Sequence, residues 1–215
     1  MNCVVTAGPT YESLDEVRRL TNFSTGRLGT ELAAFLTARG HGVTLLIGEL
    51  ATYQGERQAR RMETFTTTND LRERLKNLAG ETPDALFHAA AVSDFGFGKI
   101  WRRTDSGDLS EVKSGKLSTG AGTLLAELVP TPKIIAELRG WFPKARLTGW
   151  KYEVEADRER VIALGKQQIS QHRTDACVVN GRAYGDGFGL VAGGKCVHLP
   201  DSSALFDALE KSLHP

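Results

Sequence analysis

The sequence predicts an α/β fold, in which a mostly parallel sheet is covered by helices on both faces. Two observations support this. Short apolar runs typical of buried strands alternate with segments whose apolar residues recur at helical spacing, and this alternation is typical of parallel sheets. In addition, Gly193 and Gly194 separate two short strand-like segments and predict a β-hairpin near the end of the chain.

The predicted elements follow in chain order. Strands are expected over residues 2–6, 43–47, 63–67, 85–92, 146–152, 175–180, 190–192 and 195–199. Helices are expected over residues 29–39, 70–78, 131–141, 155–172 and 202–213. The first helix rests on the helical spacing of Leu32, Phe35 and Leu36, and Asn69 and Pro132 are the expected start signals of the next two. Together these elements predict a Rossmann-like sheet.

Two stretches interrupt this alternation. Residues 7–28 are polar and contain glycine, so we expect a long loop between the first strand and the first helix. Residues 96–123 are rich in Gly, Ser, Lys and Arg with little periodicity, which predicts a long functional flap because structureless stretches of this length are uncommon in compact domains. We find no repeat or linker and expect one domain over residues 1–215.

Composition excludes several classes of protein. The net charge of the 215-residue chain is +1, which argues against nucleic-acid partners. No apolar stretch approaches the roughly 20 residues needed to cross a bilayer, and the start of the chain does not resemble a signal peptide. The cysteines, Cys3, Cys177 and Cys196, are expected to be reduced thiols on strands. We therefore expect a cytoplasmic protein with no membrane partner.

The strongest local signal is the segment Ser24-Thr25-Gly26-Arg27-Leu28-Gly29, which leads into the first helix. Glycines allow backbone N–H groups to face a ligand, and a helix N-terminus favours negative charge, so the segment predicts a phosphate site. An ordinary capped helix start remains the alternative interpretation. The G-x-x-x-x-G-K-[ST] loop and the G-x-G-x-x-G fingerprint are both absent here, and the preceding loop is too long for a tight dinucleotide turn.

Longer motifs surround this segment. Residues 6–10 read T-A-G-P-T, and Asp15, Val17 and Arg18 precede T-N-F-S-T-G-R-L-G over residues 21–29. Further on, A-V-S-D-F covers residues 91–95, K-L-S-T residues 116–119, T-P-K-I-I residues 131–135 and G-W-K residues 149–151. In this order the segments resemble the phosphopantothenate–cysteine ligase (phosphopantothenoylcysteine synthetase) family, in its stand-alone bacterial form. The departures are Gly181 where relatives commonly have Asp, Trp150 in place of Phe, and a single lysine at Lys116.

The resemblance implies a reaction and its partners. The carboxylate of 4′-phosphopantothenate attacks the α-phosphate of CTP, or of ATP in eukaryotic relatives, pyrophosphate leaves, and the amine of cysteine attacks the acyl-nucleotidylate. Such a reaction needs positioning and charge stabilisation and no protein nucleophile. Mg²⁺ is expected with the triphosphate and needs few protein ligands, so none is assigned. The resemblance also implies a homodimer, with the flap region at a two-fold interface.

The resemblance also assigns roles to individual residues. Asn22 would donate to the acyl carbonyl oxygen, and Lys116 would neutralise charge at the α-phosphate, with Lys113 as its rival. The remaining candidates are expected to bind the nucleotide: Gly8, Thr10, Ser24, Thr25, Gly26, Gly29, Ala90, Asp94, Trp150 and Lys151. His88 is expected to be a hydrogen-bonded core residue. The other histidines, His41, His172, His198 and His214, show no metal-ligand spacing.

Two other functions compete with the ligase. A nucleotide-binding regulatory homologue without catalysis is compatible with Gly181 and the single flap lysine. An NAD(P)-dependent oxidoreductase of the short-chain type would share the strand–loop–helix start. That class requires a Tyr-x-x-x-Lys pair, and none of the four tyrosines in this chain is followed by Lys four residues later.

Overall fold

The computed structural model describes residues 1–113, 115–118, 120, 122–155 and 157–214. Its strands are β1 (Asn2–Ala7), β2 (Tyr11–Ser13), β3 (Arg19–Thr21), β4 (Gly42–Gly48), β5 (Arg61–Phe65), β6 (Ala85–His88), β7 (Phe95–Arg103), β8 (Leu109–Glu111), β9 (Leu124–Pro130), β10 (Arg146–Tyr152), β11 (Ala176–Asn180), β12 (Phe188–Ala192) and β13 (Lys195–Leu199). Its helices are α1 (Arg27–Ala38), α2 (Thr68–Leu78), α3 (Ile134–Trp141), α4 (Arg158–His172) and α5 (Ser202–Lys211).

The central sheet confirms the predicted fold class. Within the described residues it has eight strands in the order β13-β12-β11-β10-β6-β1-β4-β5. The six strands from β11 to β5 are parallel, and the hairpin of β12 and β13 pairs antiparallel at one edge. The chain adds β4 and β5 on one side of β1 and then crosses to the other side to form β6. This reversal is the kind of switch point where ligands bind in open α/β sheets.

Helices cover both faces because successive strand residues point in opposite directions. In β1, Val5 packs into a cluster that contains Leu36 of α1 and Leu209 of α5. Its neighbour Val4 packs into the opposite cluster, which contains residues of α2 and α3. Helix α4 covers the far end of that second face, where Val161 contacts β11. No helix among the described residues is long and apolar enough to span a membrane.

Several predicted boundaries were wrong. The expected loop at residues 7–28 contains an antiparallel hairpin, in which Tyr11 of β2 pairs with Thr21 of β3. The cap of α2 is Thr67 and not Asn69, because the Thr67 side chain accepts a hydrogen bond from the N–H of Asp70 at 3.2 Å. Strand β6 ends at His88, four residues before the predicted end.

The predicted starts of α1, α3 and α4 were also displaced, whereas α5 begins at Ser202 as expected. Helix α1 begins at Arg27, two residues earlier than expected. Helix α3 begins at Ile134, so Pro132 precedes the helix instead of lying in its first turn. Helix α4 begins at Arg158, where the side chain of Asp157 accepts a hydrogen bond from the N–H of Arg160 at 2.8 Å.

The predicted flap, residues 96–123, is only partly regular structure: it contains most of β7 and all of β8, and β9 follows it. Strand β7 pairs with β8 and with β9, which forms a separate antiparallel sheet of three strands among the described residues. Antiparallel strands with one exposed face carry polar residues at alternate positions, and the flap's polar composition hid this pattern. The K-L-S-T segment follows β8, and its last residue, Thr119, lies outside the described residues.

Candidate active site

A cleft of about 1040 Å³ opens at the carboxyl ends of three neighbouring strands, β6, β10 and β11, with β1 on the other side of β6. Its walls come from residues 22–25 of the loop after β3, residues 88–94 after β6, and residues 150–152 at the end of β10. The first turns of α1 and α3 also reach it. The cleft therefore occupies the switch point of the sheet.

Hydrogen bonds between the loops after β1 and β6 form the floor of the cleft. The hydroxyl of Thr6 lies 2.9 Å from Nδ1 of His88 and accepts a hydrogen bond from the N–H of Ala90 at 3.1 Å. One residue on, the N–H of Ala91 donates to the carbonyl of Gly8 at 3.0 Å, and the carbonyl of Ala91 accepts from the N–H of Thr10 at 3.1 Å. These bonds continue the parallel pairing beyond the ends of the two strands.

His88 is buried and hydrogen-bonded to Thr6, as the sequence predicted, but it also lines the cleft. Burial lowers the pKa of His88 to about 4, with a smaller contribution from the positive charge of Lys133. The imidazole is therefore neutral near pH 7. A neutral ring in the wall of a cleft can donate or accept a hydrogen bond without adding charge.

Two helix N-termini point their first turns at the cleft. Arg27 and Leu28 of α1 and Ile134 and Ile135 of α3 line it. The N-cap residues of α1 and α3, Gly26 and Lys133, form no side-chain capping hydrogen bond. Side chains cap α2, α4 and α5. In α1 the N–H of Arg27 donates to the hydroxyl of Thr25 at 3.3 Å, so the later N–H groups of its first turn are the ones open to a ligand. First-turn N–H groups without a capping side chain favour an anion.

Seven of the predicted site residues line the cleft: Asn22, Ser24, Thr25, Ala90, Asp94, Trp150 and Lys151. The side chain of Asn22 is exposed, and its amide donates to the carbonyl of Ala91 at 3.2 Å. Asp94 forms an ion pair with Lys133 at 3.1 Å. The N–H of Ala90 already donates to Thr6, so it is not available to a ligand.

The other predicted binding residues lie outside the lining. Thr10 is fully buried, and its hydroxyl accepts from the N–H of Ser93 at 2.8 Å, which makes it a structural link. Gly29 faces β1, where a Cβ atom would come 2.7 Å from Cβ of Ala7, so this glycine allows close helix–strand packing. Gly26 has φ 79°, a left-handed conformation that favours glycine, and a Cβ there would lie 2.9 Å from Cβ of Ala51.

Gly8 serves the same packing below the cleft, since a Cβ atom there would also lie 2.9 Å from Cβ of Ala51. The glycines of the first loop therefore shape the backbone under the cleft and do not face its interior. We expected the backbone N–H groups of Gly26 and Gly29 to face a ligand. Neither glycine is among the residues that line the cleft, and their part in binding stays a prediction.

Neither flap lysine lies among the residues that line the cleft. Lys113 is 84% exposed and forms a 3.9 Å ion pair with Glu111. Lys116 precedes Leu117, which is buried and held through its backbone by the side chains of Asp15 and Arg18. The main chain beside Lys116 is therefore attached to the turn between β2 and β3.

The polar residues of the cleft that the sequence did not assign to the site include Lys133, Gln168 and Asn180. The Oδ1 atom of Asn180 and the indole Nε1 of Trp150 are buried and have no hydrogen-bond partner among the described residues. Buried polar groups without a partner are uncommon, so these two atoms suit hydrogen bonds to a ligand. Asn180 ends a predicted parallel strand, and that position could have indicated a site residue. Gln168 lies in the middle of α4, where the sequence gives no such indication.

Known proteins resemble this chain in sequence and in fold. The profile of the DNA/pantothenate metabolism flavoprotein C-terminal domain matches residues 1–204. The coenzyme A biosynthesis bifunctional protein CoaBC of Thermococcus kodakarensis is 33% identical over 177 residues, which cover 82% of this chain and 40% of that protein. This chain therefore spans less than half the length of that relative.

Two solved structures have the same fold. The DNA/pantothenate metabolism flavoprotein from Streptococcus pneumoniae matches with a TM-score of 0.87 at 23% identity, over 99% of this chain and 98% of the other. A mutant of Cab2 in complex with phosphopantothenate-cysteine matches with a TM-score of 0.72 at 20% identity, over 99% of this chain and 84% of the other. The profile match confirms the resemblance that the motifs gave: the chain belongs to the family of DNA/pantothenate metabolism flavoprotein C-terminal domains.

Proposed function

We propose that this chain is a phosphopantothenate–cysteine ligase, which joins 4′-phosphopantothenate to L-cysteine through an acyl-nucleotidylate in coenzyme A biosynthesis. Its family and its relative named for coenzyme A biosynthesis support this proposal. So does the Cab2 structure, whose bound compound, phosphopantothenate-cysteine, is the product of such a reaction.

The observation that carries the proposal is the pair of helix N-termini at the cleft, whose N-cap residues form no side-chain capping hydrogen bond. The reaction brings together a phosphorylated acid and a nucleoside triphosphate, so the site must stabilise several phosphate groups. Backbone N–H groups at helix starts do this without mobile side chains. Three cations also line the cleft, namely Arg27, Lys133 and Lys151.

The first step needs little chemistry from the protein. The carboxylate of 4′-phosphopantothenate attacks the α-phosphorus of the nucleotide, its P–O bond to pyrophosphate breaks, and an acyl phosphate anhydride forms. Positioning and charge stabilisation accelerate this step. Lys116 is our candidate for the charge at the α-phosphate. The family motif supports Lys116 for this role. The three cations that line the cleft are the alternative candidates.

In the second step, the amine of cysteine attacks the activated carbonyl carbon, the nucleoside monophosphate leaves with the electrons of the C–O bond, and the amine loses a proton. Asn22 is our candidate donor to the carbonyl oxygen, which becomes negatively charged during the attack. Its exposed amide at the cleft wall supports this role, because a neutral amide can donate to an oxyanion.

The nucleotide base would lie against Trp150, with Asn180 and Gln168 as polar partners. The buried and unpaired atoms of Trp150 and Asn180 support this location. We propose CTP over ATP on the stand-alone bacterial motif pattern. Mg²⁺ would be bound mainly by the triphosphate and water. The carboxylates of the described cleft residues are Glu31 and Asp94, and both already form ion pairs with cations, so we assign the ion no protein ligand.

We also propose that the chain forms a homodimer through the sheet of β7, β8 and β9. Phe95 and Leu128 of this sheet are 47% and 52% exposed, and exposed apolar patches of this kind are typical of interfaces. Sedimentation velocity over a range of concentrations measures the state directly. A monomer at micromolar concentrations would contradict the dimer without affecting the ligase proposal.

The ligase activity is tested by measuring pyrophosphate release and product mass with CTP, 4′-phosphopantothenate, cysteine and Mg²⁺. We expect pyrophosphate release that depends on 4′-phosphopantothenate and a product with the mass of 4′-phosphopantothenoylcysteine. Parallel reactions with ATP at equal subsaturating concentration test the nucleotide choice. Nucleotide binding without turnover would instead support a regulatory homologue, and equal or faster rates with ATP would contradict the choice of CTP.

A further inference from the structure

His41 is a buried histidine whose ring nitrogens form no hydrogen bond with the described residues. It follows Gly40 at the turn between α1 and β4, and its N–H donates to the carbonyl of Leu36 at 3.1 Å. Only 6% of its side chain is exposed. Neither Nδ1 nor Nε2 forms a hydrogen bond to any of the described residues. A buried imidazole without a hydrogen bond is unfavourable, so a ligand at this ring would stabilise the fold.

The end of α5 brings two further potential metal ligands close to this ring. Glu210 lies in the last turn of the helix, and His214 follows one turn later. The N–H of His214 donates to the carbonyl of Lys211 at 3.2 Å, so the chain keeps a helix-like turn beyond the helix. The sequence showed no ligand spacing among the histidines, because His41 reaches this pair only through the packing of α5 beside α1.

The geometry matches a small coordination sphere. Oε1 of Glu210 lies 3.6 Å from Nε2 of His41 and 3.6 Å from Nε2 of His214. One ligand atom from each of the three residues lies within 4.8 Å of the others. Zn²⁺ binds histidine nitrogen and carboxylate oxygen at about 2.0–2.2 Å, which sets neighbouring ligand atoms in a tetrahedron about 3.4 Å apart. The two distances from Glu210 are too long for hydrogen bonds but close to this value, and the two imidazole nitrogens lie within 4.8 Å of each other.

We propose that His41, Glu210 and His214 form a binding site for Zn²⁺ or a similar first-row divalent metal ion. Two imidazoles and one carboxylate favour such ions over Mg²⁺ and Ca²⁺, which prefer oxygen ligands alone. A water molecule completes the coordination. The site lies at the amino end of β4, whereas the candidate active site lies at the carboxyl ends of the strands. Its role is to fix the end of α5 to the turn before β4, and it does not depend on the proposed ligase activity.

The test uses the untagged 215-residue chain after treatment with a chelator. Competition against a chromogenic Zn²⁺ indicator measures affinity and stoichiometry, and visible absorption after Co²⁺ addition reports a tetrahedral site. We expect one Zn²⁺ per chain. At a free concentration about 100 times Kd, Zn²⁺ should raise Tm by roughly 5–10 °C, since only the folded state has the site.

The variants His214→Ala and Glu210→Gln remove exposed or half-buried ligands, so both should fold. Each should weaken Zn²⁺ binding by at least the roughly 10–100-fold that loss of an outer-shell partner causes, and should reduce the Tm shift to about half or less. His172→Ala, which removes a histidine outside the cluster, should bind like the native chain. The proposal is overturned if the native chain binds no stoichiometric Zn²⁺, or if both ligand variants bind as tightly as the control, which would place the ion elsewhere.

Discussion

The carboxylate of Asp15 accepts a hydrogen bond from the backbone N–H of Leu117 at 3.1 Å, which joins two segments that lie 102 residues apart in the chain. The guanidinium of Arg18 donates to the carbonyl of the same leucine at 2.7 Å. The Leu117 N–H is the main reason that the pKa of Asp15 is held below its ordinary value. Together these contacts position the main chain beside Lys116 against the turn that leads to Asn22.

The first prediction tests this connection with Asp15→Asn. The substituted side chain keeps one oxygen, which can still accept from the N–H groups of Val17 and Arg18. The nitrogen that replaces Oδ2 cannot accept from Leu117. We therefore expect hydrogen exchange at the Leu117 N–H to accelerate by about tenfold or more, while the turn itself survives.

Asp105→Asn is the matched control, because Asp105 is an exposed aspartate in the turn between β7 and β8. Exchange at Leu117 should not change in this variant. Acid should act on the native chain as the Asp15 substitution does. A carboxyl with a lowered pKa stabilises its contacts above its ordinary pKa and loses that contribution as the pH falls through the lowered value. Unchanged exchange in Asp15→Asn would show that Arg18 alone holds the segment.

The second prediction concerns two helical glycines with opposite surroundings. Gly29 packs against β1, where a Cβ would meet Ala7 at 2.7 Å and the carbonyl of Thr6 at 3.0 Å. We expect Gly29→Ala to lower the free energy of unfolding by roughly 1–3 kcal/mol through overpacking. Gly140 in α3 has no atom within 4 Å of a built Cβ. Gly140→Ala should instead stabilise the chain by up to about 1 kcal/mol through helix propensity.

Urea denaturation of both variants measures these changes at one pH. The two changes in the free energy of unfolding are expected to have opposite signs. A general effect of alanine would instead change both free energies in the same direction. A neutral or stabilising Gly29→Ala would mean that α1 can move away from β1 at little cost.

The third prediction concerns pH and His88. Its pKa is lowered to about 4 in the folded chain, whereas an unfolded histidine has an ordinary value near 6.5. Between these values the unfolded state binds more protons, so stability falls as the pH drops from 6.5 to 4, by an amount on the order of 3 kcal/mol. His88→Asn keeps a polar group near Thr6 but cannot titrate. The free energy of unfolding should therefore fall more steeply between pH 6.5 and 4 in the native chain than in His88→Asn. Parallel pH dependences of the two proteins would contradict the lowered pKa.

Much of the fold could be predicted from sequence because β1, β4 and β6 are mostly buried, largely apolar runs that alternate with helices. The flap could not, since β7 and β9 form a sheet with exposed residues such as Leu128, and its strands lack a buried repeat. The cap of α2 was misjudged because Thr67 and Asn69 are both good capping residues, and only the structure shows which side chain meets the N–H of Asp70.

The candidate site was predictable only in part. The motif segments brought the loop residues Asn22, Ser24 and Thr25 to the cleft, because they follow the first parallel strand of the sheet. The motifs did not distinguish residues that line the cleft from glycines that allow close packing of the backbone, such as Gly29. Gln168 reaches the cleft from the middle of α4, and His41 reaches Glu210 from the far end of the chain. Such contacts depend on tertiary packing, which local patterns do not encode.

The fourth prediction separates the two flap lysines. If Lys116 stabilises charge at the α-phosphate, Lys116→Gln should slow pyrophosphate release by a factor on the order of 10²–10³. Lys113→Gln removes a charge from the same segment, but Lys113 is 84% exposed and lies near Glu111, so we expect little change. Single-turnover measurements with CTP and 4′-phosphopantothenate compare the two. Equal losses in both variants would indicate a general effect of flap charge.

The last prediction concerns Asn22 and the second half-reaction. In Asn22→Asp a carboxylate replaces the amide that donates to Ala91 and, in our proposal, to the acyl carbonyl oxygen. The negative charge would repel the developing oxyanion, so amide formation should slow by about 10²–10³. Activation should be affected less, because the carboxylate of 4′-phosphopantothenate is the nucleophile in that step. Asn22→Ala, which removes the donor without adding charge, should show a smaller loss in the same step.

The acyl-nucleotidylate should therefore accumulate in Asn22→Asp, where mass spectrometry can detect it after CTP and 4′-phosphopantothenate are mixed with the enzyme. Asn77→Asp, which makes the same substitution at an exposed position of α2, controls for the added charge. Product formation at the native rate would exclude Asn22 from catalysis. If activation is lost with no intermediate while nucleotide still binds, Asn22 acts in the first step, because a residue needed only for amide formation cannot block the reaction that precedes it.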